Sequence, residues 1–420
     1  MENTHNIPPL KIVLNGEFWD SHIYKGKLYL FTIDGDVHTV DWDRLVAEYP
    51  LPDDLVLPME CAFARSNYLY GDQWNLLYQD PEVRTVVQRK FMRLSTESQN
   101  PLVADWKKFL LGTHASPFPF PHSDTTIYMN NLYSVSKSGL FTFPSRKLHA
   151  KRPKKYQAER IWDCPVISVD ASYFTLALAA GEEGLFEFDL TDPTSGVPER
   201  DKKPIDSRHF SDCSWAYYSI MGSSHEVGGI LLEYVKSEDQ GHAELFVPDN
   251  VGPFSKSAPQ LHRRFDKAVQ VSDVFHKSGY SWGGKDKICS ARDGVMTVAR
   301  YVPWFDDPDR LRILREIHLD PWKGNPVSGE VAPFGSIIEL DNCIVVVRSD
   351  DEVFTIRGTP VNWRVFNRSK QYENQLHVIY DDRLEIFSFN HDYFLDQDEK
   401  VSGAHSSSSM SYWKRGRRKI

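Results

Sequence analysis

One short pattern recurs along this chain: a β-forming arm, a tight turn of acidic residues and glycine, and a second β-forming arm. "KLYLFTIDGDVHTVDW" carries it around Asp34, Gly35 and Asp36, and "SKSGLFTF", "GEEGLFEFDL", "ARDGVMTVARY", "RSDDEVFTIRG" and "YDDRLEIFSF" repeat it. An Asp-Gly turn tolerates positive φ, and flanks rich in β-branched and aromatic residues pair as a hairpin. Hairpins are therefore expected over 27–42, 132–143, 173–190, 287–301, 343–357 and 376–389, with a looser one, "GILLEYVKSEDQGHAELFV", over 229–247.

The turn centres fall near residues 35, 138, 183, 239, 293, 351 and 382. Most spacings match the roughly 40 to 50 residues of a four-stranded propeller blade. An Asp also stands before several hairpins: Asp20 in "FWDSHIY", Asp163 in "IWDCPVIS", Asp212 in "FSDCSWAYYS" and Asp273 in "QVSDVF". Such residues cap tight turns through their own backbone. The alternative is that these four form an acidic ring at one mouth of a central channel.

These features resemble a β-propeller, loosely of the WD-repeat kind. The Gly-His and Trp-Asp pairs of true WD repeats do not recur in register, and "VDWDRL" is a single stray match. The resemblance implies an all-β propeller of about seven four-stranded blades, with six as the alternative count, occupying 1–400. The segment "PLKIVLNG" precedes the first blade and is expected to pair into the last, which removes an open edge.

Residues 51–120 read differently, as a helical insertion between the first two blades. "DPEVRTVVQRKFMRL" has Asp80 as N-cap and Pro81 at the first helical position. A second helix is expected over "PLVADWKKFLLG", 101–112, with Leu102, Trp106, Phe109 and Leu110 on its face. If the insertion is a docking module, Trp106 and Phe109 are its exposed anchors, and Lys107 and Lys108 steer an acidic partner. The alternative is a structural cover packed on the propeller.

Composition limits what such a scaffold does. The 420 residues are 25% charged and 41% apolar, with a formal charge of −9, a soluble globular balance that disfavours nucleic acid as partner. The N-terminus lacks the pattern of a secretory leader, and no run suits a membrane span. The expected location is cytoplasmic. The Ser-rich basic tail 401–420 is expected to be disordered and to serve as a nuclear address if the source is eukaryotic. Cys61, Cys164, Cys213, Cys289 and Cys343 are scattered and never form a C-x-x-C pair, so neither zinc nor a disulfide framework is indicated.

No Walker loop, dinucleotide fingerprint or nucleophile elbow is present, and no cofactor is implied. "GSSHEVGG" sets Ser223, Ser224, His225 and Glu226 side by side, but sequence neighbours rarely form a catalytic constellation. "FDDPDR" lacks the spacing of a calcium loop, and the basic stretch 146–160 reads as a solvated loop. The reading is a non-catalytic scaffold or adaptor that binds another protein. Its rival is a carbohydrate-active enzyme whose carboxylates converge from several blades at the channel mouth.

Overall fold

The computed structural model describes residues 7–70, 80–96, 101–149, 157–190, 203–236, 261–263, 268–275, 279–303, 310–319 and 324–394. Their strands make seven antiparallel sheets, the seven blades of an all-β propeller, and a separate two-stranded ribbon, Tyr234–Lys236 with Leu261–Arg263. Blade 1 runs Phe18–Tyr24, Lys27–Thr32, Asp36–Asp41, Leu110–Ala115, and blade 2 runs Asp124–Tyr128, Asn131–Ser136, Gly139–Pro144, Glu159–Trp162. Blade 3 shows three strands, Ser168–Ser172, Thr175–Ala179 and Leu185–Asp189. Blade 4 is Asp212–Ala216, Ser219–Ser224, Gly228–Leu232 and Val269–Gln270, and blade 5 is Tyr280–Gly284, Lys287–Arg292, Val295–Tyr301 and Leu311–His318. Blade 6 is Pro326–Ala332, Gly335–Leu340, Cys343–Arg348 and Val353–Arg357. Blade 7 takes Asn362–Val365, Gln375–Tyr380 and Arg383–Ser388 and adds Leu10–Asn15 as its fourth strand.

The chain divides into two compact units. One holds 1–116, 148–156 and 323–420, with blades 1, 6 and 7; the other holds 117–147 and 157–322, with blades 2 to 5. The middle strands bury both faces, and all six residues of Gln375–Tyr380 are buried. A strand covered on both sides reads as a continuous apolar run instead of an alternating one, which is why "CIVVV" and "TLALA" carry so little polarity.

In the first unit, Leu10–Asn15 pairs in unbroken register from Leu10 opposite Ser388 to Asn15 opposite Arg383. Leu10, Ile12 and Leu14 are fully buried by it. Its other edge takes a short parallel strand, Leu102–Val103, through Ile12 and Val13. The helices Val56–Phe63, Asn67–Tyr70 and Pro81–Thr96 fall between the third and fourth strands of blade 1. Pro81–Thr96 starts at Asp80, whose Oδ1 accepts the Glu82 N–H at 2.8 Å, and buries Val87, Phe91 and Leu94.

Two expectations need correction, and a third lies outside the described residues. The second helix does not form: 101–112 becomes the strand Leu102–Val103, a single 3-10 turn Trp106–Phe109, and the start of Leu110–Ala115. Two open sheet edges, one on each of blades 7 and 1, capture the segment, and tertiary pairing overrides local helix preference. Around Asp351 the turn joins the third strand of blade 6 to its fourth, so it sits one strand later than its counterparts. In blade 4 the turn joining the second and third strands lies at 224–228, while the proposed turn near residue 239 falls outside the described residues.

Gly35, Gly139, Gly184 and Gly294 all take positive φ. At Gly184 φ is 108°, and a Cβ there would lie 2.3 Å from the Asp206 carbonyl oxygen. That oxygen accepts the Leu185 N–H, so it cannot retreat without breaking the bond. Gly184→Val is therefore expected to destabilise by about 2 kcal/mol or more. Thermal or urea unfolding checks this, and an unchanged midpoint would show that the turn adapts.

Candidate interaction surface and carboxylate clamps

The innermost strand of a blade opens with an Asp in several cases, and each carboxylate is committed to backbone. In the second unit, Asp124, Asp170 and Asp212 start the first strands of blades 2, 3 and 4, or lie just inside them. One oxygen of each accepts the N–H of the next residue, at 2.7 Å for Thr125, 2.8 Å for Ala171 and 2.8 Å for Cys213. The other oxygen reaches the neighbouring blade: Asp124 accepts Val169 N–H at 2.9 Å, and Asp170 accepts Trp215 N–H at 3.1 Å. Ser168 Oγ lies 2.8 Å from Asp212 and 3.3 Å from Asp124. Its single proton serves one carboxylate at a time. The carboxylates thus clamp blade to blade, each satisfying N–H groups that a buried strand cannot leave unpaired.

Desolvation pushes the Asp212 carboxyl up to about 7; Asp124 and Asp170 push the same way, while Ser168 and the Cys213 N–H oppose them. Asp20 makes the same local bond in the first unit, accepting Ser21 N–H at 2.7 Å. There a cation supplies the cross-blade partner: Arg364 Nη2 lies 3.2 Å from both Asp20 oxygens, and Asn362 Nδ2 donates at 3.2 Å. Beside this pair, Ser21 Oγ meets His377 Nδ1 at 3.0 Å. Burial drives His377 down to about 3, with His22 and Arg364 adding to the effect. Both residues are buried, so this hydroxyl–imidazole pair fastens blade 1 to blade 7.

The four acidic positions singled out in the sequence therefore have separate surroundings. Asp20 and Asp212 are clamps. Asp163 is exposed in the link between blades 2 and 3, and Asp273 is exposed in the first turn of the short helix Val271–Phe275. Asp124 and Asp170 were missed, although a signal existed: Asp, then one residue, then Ser or Thr, in "DTT", "DAS" and "DCS", immediately before the inner hairpin. Ser223 and Ser224 are buried in blade 4, and Ser224 Oγ accepts the Val227 N–H. The string "FDDPDR" falls on 305–310, of which 305–309 lie outside the described residues, as do 150–156 of the basic stretch and the tail 401–420.

The other predicted group separates into core and surface. Trp106 is buried, 5.8 Å from Phe18 and 5.2 Å from His38 between ring centroids, and its Nε1 donates to the Asn15 carbonyl at 2.9 Å. It is a core residue and presents no exposed anchor. Phe109 is partly buried against the same core, with the Arg44 guanidinium 5.7 Å from its ring centre. Lys107 and Lys108 are exposed; Lys107 Nζ lies 5.8 Å from the Trp106 ring centre, and Lys108 pairs with Asp105 at 3.4 Å. Around them stand three apolar side chains that sequence reasoning passed over or assigned to a helix: Val103 at 60% exposure, Leu110 at 38% and Leu111 at 45%. Strand alternation explains Val103, since Leu102 turns inward. The segment 103–111 is thus an apolar surface rimmed by paired charges, held by sheet hydrogen bonds at both ends.

No protein-family model matches the chain, and no curated protein does. Among solved structures it is similar to the computationally designed Ika8 protein, at 9% identity over 90% of this chain and 99% of that one, with a TM-score of 0.42. The WD40 domain of Neurospora crassa Pan2 gives 8% identity, 89% and 90% coverage, and a TM-score of 0.42. The WD40 propeller domain of Doa1 gives 10% identity, 67% and 95% coverage, and a TM-score of 0.33. The propeller assignment rests on the sheet topology itself.

Two outcomes test the roles assigned here. Trp106→Ala is expected to cost about 3 kcal/mol of stability, as removal of a buried indole does; an unaltered unfolding midpoint would return Trp106 to the surface. For Asp212, the folded state keeps a proton that the unfolded chain loses above the ordinary carboxylate pKa. Stability from this group therefore falls as pH rises from about 4 to about 7. Asp212→Asn keeps the acceptor for Ser168 and Cys213 without the charge. It is expected to be more stable than the parent by on the order of 1–3 kcal/mol at pH 8 and nearly equal near pH 4, and a pH-independent difference in melting temperature would refute the clamp electrostatics.

Proposed function

We propose that this chain is a non-catalytic interaction scaffold that binds another protein through the 103–111 surface of its first unit. The observation that carries the reading is the exposure of Val103, Leu110 and Leu111 on a backbone fixed by blades 7 and 1. Interfaces concentrate their energy in an apolar centre on a rigid base, enclosed by charges that exclude water and set register. Lys107, Lys108 and Arg44 supply such a rim. Phe109 adds aromatic area at its margin. The clamps favour the same reading, because Asp20, Asp124, Asp170 and Asp212 use their oxygens to join blades.

No helix among the described residues is long and apolar enough to cross a membrane. We place the protein in the cytoplasm, with the basic tail as a nuclear address if the source is eukaryotic.

The test is a quantitative pull-down from the native host with the parent chain and with Val103→Asp combined with Leu111→Asp. Both positions are exposed, so the melting temperature is expected to stay within experimental error, while partner recovery falls by about tenfold or more. Recovery of the same partners in the same amounts would remove this surface from the proposal.

A further inference from the structure

A recess of about 290 Å³ lies where blade 6 meets blade 7 in the first unit, lined among others by Lys11, Phe354, Arg357, Arg383, Glu385 and Phe387. Strand alternation builds one wall: Arg383, Glu385 and Phe387 share a face of blade 7, and Lys11 stands opposite Phe387 on the next strand. Glu385, 6% exposed, organises the cations, with Lys11 Nζ at 3.2 Å on one oxygen and Arg383 Nε at 2.9 Å on the other. Phe354, half-buried, packs edge to face on buried Phe387 at 6.2 Å, and Lys11 Nζ lies 5.4 Å from the Phe387 ring centre. Lys11 and Arg383 therefore share one buried carboxylate, and Arg357 also lines the recess; Asp382, which also touches Arg383, stands outside at 75% side-chain exposure. Arg357 is exposed and has no ion-pair partner among the described residues.

The remaining wall is a strand edge. Val353–Arg357 is the last strand of blade 6, with no further neighbour among the described residues. Its flanking residues bond inward, the Glu352 carbonyl accepting the Arg348 N–H and the Gly358 N–H donating to the Asn342 carbonyl. Two-residue alternation then turns the backbone of Val353, Thr355 and Arg357 outward. The Arg357 carbonyl already accepts Tyr380 Oη at 3.2 Å, which closes that end.

We propose that this recess binds an extended peptide segment of another protein, with an apolar side chain flanked by carboxylates, lying along the Val353–Arg357 edge. Its backbone pairs with the outward groups, its apolar side chain sits against Phe354, and its carboxylates meet Lys11, Arg357 and Arg383. The surplus positive charge selects the partner and speeds its arrival. This site is distinct from the 103–111 surface, and either can fail without the other.

The experiment pans a phage-displayed random dodecapeptide library on the full chain and measures synthetic copies of the enriched peptides by fluorescence anisotropy. Enriched peptides are expected to carry Leu, Phe or Ile beside Asp or Glu, and to bind less tightly as salt rises. Arg357→Glu is expected to weaken them by about tenfold or more, and Thr355→Pro, which removes an outward N–H, is expected to do the same. Both variants should keep the parent melting temperature, and Val103→Asp with Leu111→Asp should leave binding unchanged. The proposal is overturned if no acidic–apolar peptide is enriched, or if binding survives both recess variants. It is also overturned if sedimentation shows a dimer that Arg357→Glu dissolves, which makes a second copy the occupant. Binding that emerges only after Asp396, Asp398 and Glu399 are neutralised makes the chain's own 395–399 segment the occupant and overturns it too.

Discussion

The first unit depends on one strand, Leu10–Asn15, which is hydrogen-bonded on both sides. Its antiparallel register with Arg383–Ser388 completes blade 7 and buries Leu10, Ile12 and Leu14. Its parallel contact with Leu102–Val103 holds the chain that returns from the helices. Through that contact Trp106 reaches the Asn15 carbonyl, and Val103 is held outward. The same strand carries Lys11 into the recess beside blade 6. Core, proposed partner surface and recess thus share a single backbone element.

The second unit solves the equivalent problem with side chains. Adjacent inner strands are not hydrogen-bonded to each other through a ladder, so their outward N–H groups need another acceptor. Asp124, Asp170 and Asp212 provide it. Desolvation raises the Asp212 pKa, and Asp124 and Asp170 add a smaller repulsion. Asp20 avoids it by taking Arg364 as its cross-blade partner.

Much of the architecture was legible because hairpins are local. The turns at Gly35, Gly139, Gly184 and Gly294 announce themselves through residues within a few positions of one another, and all four take the positive φ that Gly permits. What escaped notice depends on distant partners. "PLVADWKKFLLG" has a helical stripe, yet two sheet edges from residues 12–13 and 36–40 claim it. Asp163 drew attention ahead of Asp170 because both precede the same hairpin, and only the neighbouring Trp215 N–H distinguishes them. Trp106 looked like an anchor because nothing nearby in sequence covers it; Phe18 and His38 do so across the fold. The recess has no sequence signature, since its walls come from strands at opposite ends of the chain.

The pairing of Leu10 with Ser388 also governs how the protein is made. During synthesis the first strand emerges long before its antiparallel partner exists, and loop closure over that separation is slow. Until then an apolar β-segment, "LKIVL", has an open edge and is exposed to wrong pairing with other nascent chains. The fourth strand of blade 7 therefore cannot take its place until Arg383–Ser388 has been made. Burial of Leu10, Ile12 and Leu14, made at the start of synthesis, thus waits on residues made at its end.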